Sequence, residues 1–414
     1  MQLRRTVSAI LLAFLAAGSV FAQKTTLNFW TWRPEDVDAY NKIIAIFEKA
    51  NPNIDVVLNA QKNTEYNTIL SAAMAGGSGP DICQSRAYGG IEPFAQSGYL
   101  APLENLVPEL KGFDKGALRG ASSIKDGKVY GVPFAGQTLF IFYNKAIFKQ
   151  LNLAIPDTWD EFIATCAALK KAGILPLANA GKDGWCFETL VGAMCPNLDG
   201  ANDFYDALVA GKTTFQDPRF VAAIAKLKEL IPYMPDMFMG VSYTDMQSSF
   251  INEQAAMFIG GSYEAGYFSA QNPKLDYDIF AAPVAKKGDK HYVATYTDGS
   301  FSLNAASKNK EAGVKFLRFL ASKEVGNIFI NDLKQVSSVP GVDTSASPYI
   351  SKVIALQKYN TPHIMVVGFR YSQPTGSALL QAGMQGFMAG KFDAAELCKQ
   401  IQEGVATWYA PFKK

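Results

Sequence analysis

The sequence predicts an α/β protein built as two doubly wound lobes joined by crossing segments. Three observations predict it. Strand and helix patterns alternate through the first third of the chain; a short β-rich stretch containing Gly and Pro follows at 130–143; and a strand pattern returns late, at 292–304. Length agrees, because about 390 residues beyond the N-terminal leader exceed what one hydrophobic core usually supports.

In order, an apolar strand at 27–32 leads into a helix carrying Val37, Tyr40, Ile44 and Phe47 on one face, which stops at Asn51-Pro52. A strand at 54–58 follows. The next helix, near 66–75, shows a stripe of Ile69, Leu70, Ala73 and Met74 and ends in Gly76-Gly77-Ser78-Gly79-Pro80 before a strand at 81–83. This βαβαβ order places ligands beyond the carboxyl ends of the strands. After 130–134 comes a strand at 139–143, apolar on both faces, and Thr158-Trp159-Asp160-Glu161 reads as a capping box opening a helix that Gly173 closes. Helices are expected at 218–231, 246–253, 311–321, 349–358, 377–389 and 394–409, with a buried strand at 255–259 ending in Gly260-Gly261. The crossings divide the chain into a leader (1–22), one lobe from 23–133 and 297–345, and a second from 134–296 and 346–414.

The leader has Arg4 and Arg5, an apolar run at 9–17 too short to span a bilayer, and Val20-Phe21-Ala22, the small-x-small pattern that signal peptidase reads. Cleavage after Ala22 is expected. No cysteine lies beside that site to take a lipid, so a soluble periplasmic protein is expected. Without Arg4 and Arg5 the 39 basic residues fall to 37, matching the 37 acidic ones, a balance that argues against nucleic acid or anionic membrane as partner.

Five cysteines lack metal-ligand spacing. Cys186 and Cys195 are nearest in sequence, but the stretch between them reads as helix, and nine residues at 1.5 Å rise put their Cα atoms roughly 13 Å apart. Reduced, buried thiols are expected. His291 and His363 stand apart from each other and from any cysteine pair, and neither metal nor cofactor is expected.

Several stretches taken together resemble the extracellular solute-binding protein family 1, the maltose- and oligosaccharide-type receptors of ATP-driven importers. They are Gly77-Ser78-Gly79-Pro80-Asp81-Ile82, Phe94 through Leu103, Lys128-Val129-Tyr130-Gly131-Val132-Pro133, Tyr143-Asn144-Lys145, Pro156 through Phe162, Phe250 through Gly260, and Glu311 through Leu320. The resemblance implies a type II periplasmic binding protein-like fold, a sugar held in a cleft between lobes, hinge closure, and delivery to the permease subunits of an ABC transporter by a monomeric receptor. Family members that bind malto-oligosaccharides commonly carry tryptophan where this chain has Tyr263, a smaller stacking surface that argues against a long glucan.

A sugar needs paired donors and acceptors for its hydroxyls and flat rings for its C–H faces. Trp32, with Glu35 after it, suits a platform with acceptors, although Glu35 equally complements a helix dipole. Gln84, Ser85 and Arg86 follow the 81–83 strand at its carboxyl end. Gln137 sits at the first crossing. Trp185 and Glu188 begin a second-lobe helix, where Trp185 serves equally well as a packing anchor. Gly261 lets backbone approach a ligand and Tyr263 turn over it. Asp298 at the return crossing can accept two hydroxyls or hold hinge amides, and Arg370 precedes the 377 helix. An enzyme is not expected: G-x-S-x-G, H-E-x-x-H and G-x-x-x-x-G-K-[ST] are absent, although Glu188, Glu264 and Asp298 invite a glycosidase reading. A phosphorylated polyol held by Arg33 and Arg86 is the other alternative.

Overall fold

The computed structural model describes residues 24–345 and 347–413; the leader and its cleavage site lie outside the described residues. The first sheet has the order β2-β1-β3-β10-β4, where β1 is Thr25–Thr31, β2 Ile54–Ala60, β3 Ile82–Arg86, β4 Val132–Pro133 and β10 Gly299–Leu303. β1 runs parallel to β2 and β3, and β10 enters antiparallel between β3 and β4. A second sheet has the order β12-β9-β5-β7-β6, with β5 Ala135–Asn144, β6 Leu175–Leu177, β7 Ala255–Gly261, β9 Val293–Thr297 and β12 Asn360–Pro362. Two further strands, β8 (Tyr277–Phe280) and β11 (Val336–Ser337), also pair with β5.

The chain passes between the sheets at Phe134, between β4 and β5, at Asp298, between β9 and β10, and once more after β10, because β11 and β12 pair in the second sheet. The strand pattern at 292–304 is thus two strands, one in each sheet. Asp298 is bonded by its backbone to both sides of the crossing: its N–H donates to the Ala135 carbonyl (3.0 Å) and its own carbonyl accepts from Ala87 (3.4 Å).

Helix Val37–Ala50 covers the first sheet because Ala39, Tyr40, Ile43, Ile44 and Phe47 recur on one face. Phe29 meets Tyr40, Phe301 and Phe316 edge-on beneath it. In the second lobe, helix Trp159–Lys171 starts with the expected capping box, and Trp185–Met194 runs through its core. The 218–231 helix is shorter than the sequence pattern: after Pro218–Lys226 it tightens to 3₁₀ turns containing Pro232. Helices Ala201–Val209 and Lys323–Asn331 lie in stretches where sequence patterning placed none. All five cysteines are free and buried.

Candidate functional site

A cleft of about 880 Å³ is lined by side chains from elements of both sheets. Eight of the twelve expected site residues line it: Trp32, Glu35, Arg86, Trp185, Glu188, Tyr263, Asp298 and Arg370. Gln84, Ser85, Gln137 and Gly261 do not.

The reason for Gln84 and Ser85 is that β3 runs three residues past the expected strand end, so both are interior strand residues between β1 and β10. Gln84 accepts from the Thr31 hydroxyl (2.5 Å) and the Trp32 amide (3.3 Å) and donates to the Tyr40 hydroxyl (2.5 Å). Those bonds satisfy a polar group that burial would otherwise penalise. Gln137 is a linchpin of the crossing and does not line the cleft. Its amide donates to Asp298 (3.1 Å) and Gln335 (3.0 Å), and its carbonyl accepts from Ser262 (2.6 Å). Gly261 makes room for protein, not ligand: a Cβ there would lie 2.2 Å from the Tyr263 ring.

Two residues that line the cleft differ in role from the expectation. Trp32 is 1% exposed, wedged between Tyr66 and Phe134, and the Arg86 guanidinium sits 4.4 Å over its ring. The stacking face is therefore already taken by a cation. Arg86 is anchored by donating to the Asn63 side chain (2.7 Å), and burial pulls its pKa down to about 10. Glu188 is enclosed: Arg370 grips both oxygens (3.1 and 3.0 Å), and Ser377 and Gln381 donate at 2.6 Å each. Burial alone would raise its pKa, but Arg370 and these donors hold it below the ordinary carboxylate range.

Arg33 forms the electrostatic centre. It is 3% exposed, pairs with Asp36, lies 3.6 Å from Glu35 and 3.8 Å from Asp298, and donates across the cleft to the Tyr263 carbonyl (3.3 Å). Burial works against its charge, yet the three carboxylates raise its pKa well above the ordinary value. Among the described residues, Arg33 and Arg370 have carboxylate partners within 4 Å, and Arg86 has none.

The opposite wall is aromatic. Trp185 packs edge-on against Tyr243 at 4.5 Å, beside Tyr263 and Tyr296. The Tyr243 hydroxyl donates to Glu264 (2.8 Å), which also accepts from Gln247 (2.8 Å); burial pushes Glu264 up to about 8. Burial lowers His363, which also lines the cleft, to about 4, so it is neutral at physiological pH.

Sequence reasoning missed Tyr243, Tyr296 and His363, which come together only through tertiary packing. Asn63, Asn67 and Ser71 carried a usable signal. They recur every four residues along helix Asn63–Ala75, on a stripe beside the one that buries Tyr66, Leu70 and Met74, and they line the cleft.

Comparison with known proteins agrees with this architecture. The "Multiple sugar-binding protein" of Streptococcus mutans is 27% identical over 310 residues, covering 72% of this chain and 71% of the relative. The sn-glycerol-3-phosphate-binding periplasmic protein of Salmonella typhimurium is 26% identical over 349 residues, covering 78% and 76%. A solved chitin oligosaccharide binding protein superposes with a TM-score of 0.81 at 23% identity, covering 94% of this chain and all of that one. The profile of one family matches residues 32–327, most of the sequence, and this chain belongs to that family, the bacterial extracellular solute-binding proteins.

Proposed function

We propose that this protein is the soluble receptor of an ABC-type importer, acting as a monomer outside the cytoplasm, and that it captures a neutral sugar of one to a few units in the cleft. The observation that carries this reading is the charge arrangement. Two of the three cleft arginines are neutralised by the protein's own carboxylates, while the facing wall offers Trp185, Tyr243, Tyr263 and Tyr296 to C–H surfaces. Glu35 and Asp298 supply acceptors for hydroxyls. The name of the Streptococcus relative, a multiple sugar-binding protein, supports the same ligand class. Lobe closure would use the passages at Phe134 and Asp298 and the third one after β10 as hinges, with lobes of 23–133 plus 297–345 and 134–296 plus 346–414. A glycosidase reading loses Glu188, whose oxygens are fully engaged.

A second reading has two specific supports. Arg86 has no carboxylate partner among the described residues, and a relative binds sn-glycerol 3-phosphate. Calorimetric titration with neutral mono- to tetrasaccharides and with sn-glycerol 3-phosphate decides between them. The sugar reading expects heat from a neutral sugar and none from the phosphate ester, and it fails on the reverse. Tyr263→Ala should weaken sugar binding by about 0.5–1.5 kcal/mol, the worth of a lost ring contact.

A further inference from the structure

Beside the ligand cleft the two lobes also touch directly, and the contact turns on a glycine. The turn Tyr88–Gly90 follows β3 in the first lobe, and helix Ile364–Gly368 with Phe369 and Arg370 belongs to the second. Tyr88 packs with Val366, Val367 and Tyr205, while its hydroxyl accepts from the Thr297 amide (3.1 Å) at the return passage. At Gly89 the lobes meet backbone to backbone. A Cβ there would lie 2.2 Å from both the carbonyl carbon and the oxygen of Arg370, and 2.6 Å from the Tyr371 nitrogen. These are peptide atoms, not a flexible side-chain end, and Arg370 is held from the other side by Glu188 and Ser377. The φ of Gly89 lies outside the left-handed region, so alanine there has no intrinsic backbone strain.

We propose that Gly89 is a positioning residue that sets the limit of lobe closure: the missing side chain lets the Arg370–Tyr371 peptide settle onto the first lobe and brings both cleft walls within reach of one ligand. This rests on the cleft being the ligand site. Because closing holds the ligand in, an obstruction here acts on its escape more than on its entry.

The test compares the wild-type chain, Gly89→Ala, and Gly240→Ala, a control whose added Cβ meets nothing within 4 Å. Without any ligand, Gly89→Ala should raise the radius of gyration in solution scattering. It should also speed hydrogen exchange at 86–90 and 366–371 while leaving both lobe cores protected. With a sugar that the wild type binds, affinity should fall by roughly 5- to 100-fold, carried by faster dissociation. Gly240→Ala should match the wild type. Val366→Ala, which thins the same seam without a clash, should also speed exchange at 86–90. The proposal is overturned if scattering and seam exchange are unchanged in Gly89→Ala and Val366→Ala, or if the affinity loss lies in association alone. A wild type that binds no sugar defeats the functional reading, and the ligand-free measurements still decide the role of Gly89.

Discussion

Replacing Glu264 by glutamine should change the pH dependence of stability in a way that can be worked out in advance. The carboxyl is 1% exposed and titrates at about 8 in the folded chain against 4.5 ordinarily, chiefly through burial, with the Glu35 charge adding to it. Between those two values the folded chain keeps a proton that the unfolded chain has released. The wild type therefore loses stability as pH rises through that window, and the loss levels off above it. At 1.36 kcal/mol per pH unit the ceiling is about 5 kcal/mol. Glutamine keeps both hydrogen bonds, its carbonyl accepting from Gln247 and its amide donating to the Tyr243 hydroxyl, and it has no proton to lose. Urea unfolding of both proteins at pH values from about 5 to 9 should thus show the variant gaining on the wild type at up to ~1.4 kcal/mol per unit. A difference that stays flat across the range would refute the assignment of a neutral carboxyl at this wall.

Arg370→Met should leave the Glu188 charge buried without its guanidinium and cost about 3–5 kcal/mol, read as a fall in Tm. Because the Glu188 pKa is depressed in the folded chain, its contribution is present above the ordinary carboxylate range and lost as pH falls through the folded value; the variant should lose that acid-side slope. The five thiols should resist an aromatic disulfide reagent in the native protein and all react after denaturation. Each is at most 4% exposed, and burial pushes Cys83, Cys166 and Cys398 up to about 12. Intact mass after alkylation counts them, and a native adduct would contradict the packing.

Local patterns carried most of the fold. The stripe of helix Val37–Ala50, the Thr158 capping box and the apolar strand at Ala255–Gly261 are set by neighbours in sequence, so their periodicity is visible without tertiary knowledge. The site was less legible because its roles depend on partners far along the chain. Gln84-Ser85-Arg86 reads as a polar loop, yet Thr31 and Tyr40 satisfy Gln84 inside the sheet, so only Arg86 emerges. Glu188 and Arg370 were both recognised as polar groups near a cleft. That they consume each other is a contact between residues 182 positions apart, which no periodicity encodes. Glu35 and Asp298 reach the cleft as expected, while the Arg33 that binds them into one cluster was considered only as a phosphate donor.

The interleaved order of the first sheet bears on how the protein is made. β10 is not an edge addition; it lies between β3 and β4 and supplies hydrogen bonds to both. A nascent chain therefore cannot complete that sheet until Leu303 has been synthesised, and β3 and β4 lack the neighbour between them for most of translation. Such a delay keeps the first sheet incomplete for longer, which would suit the proposed role outside the cytoplasm if the chain is exported before it folds.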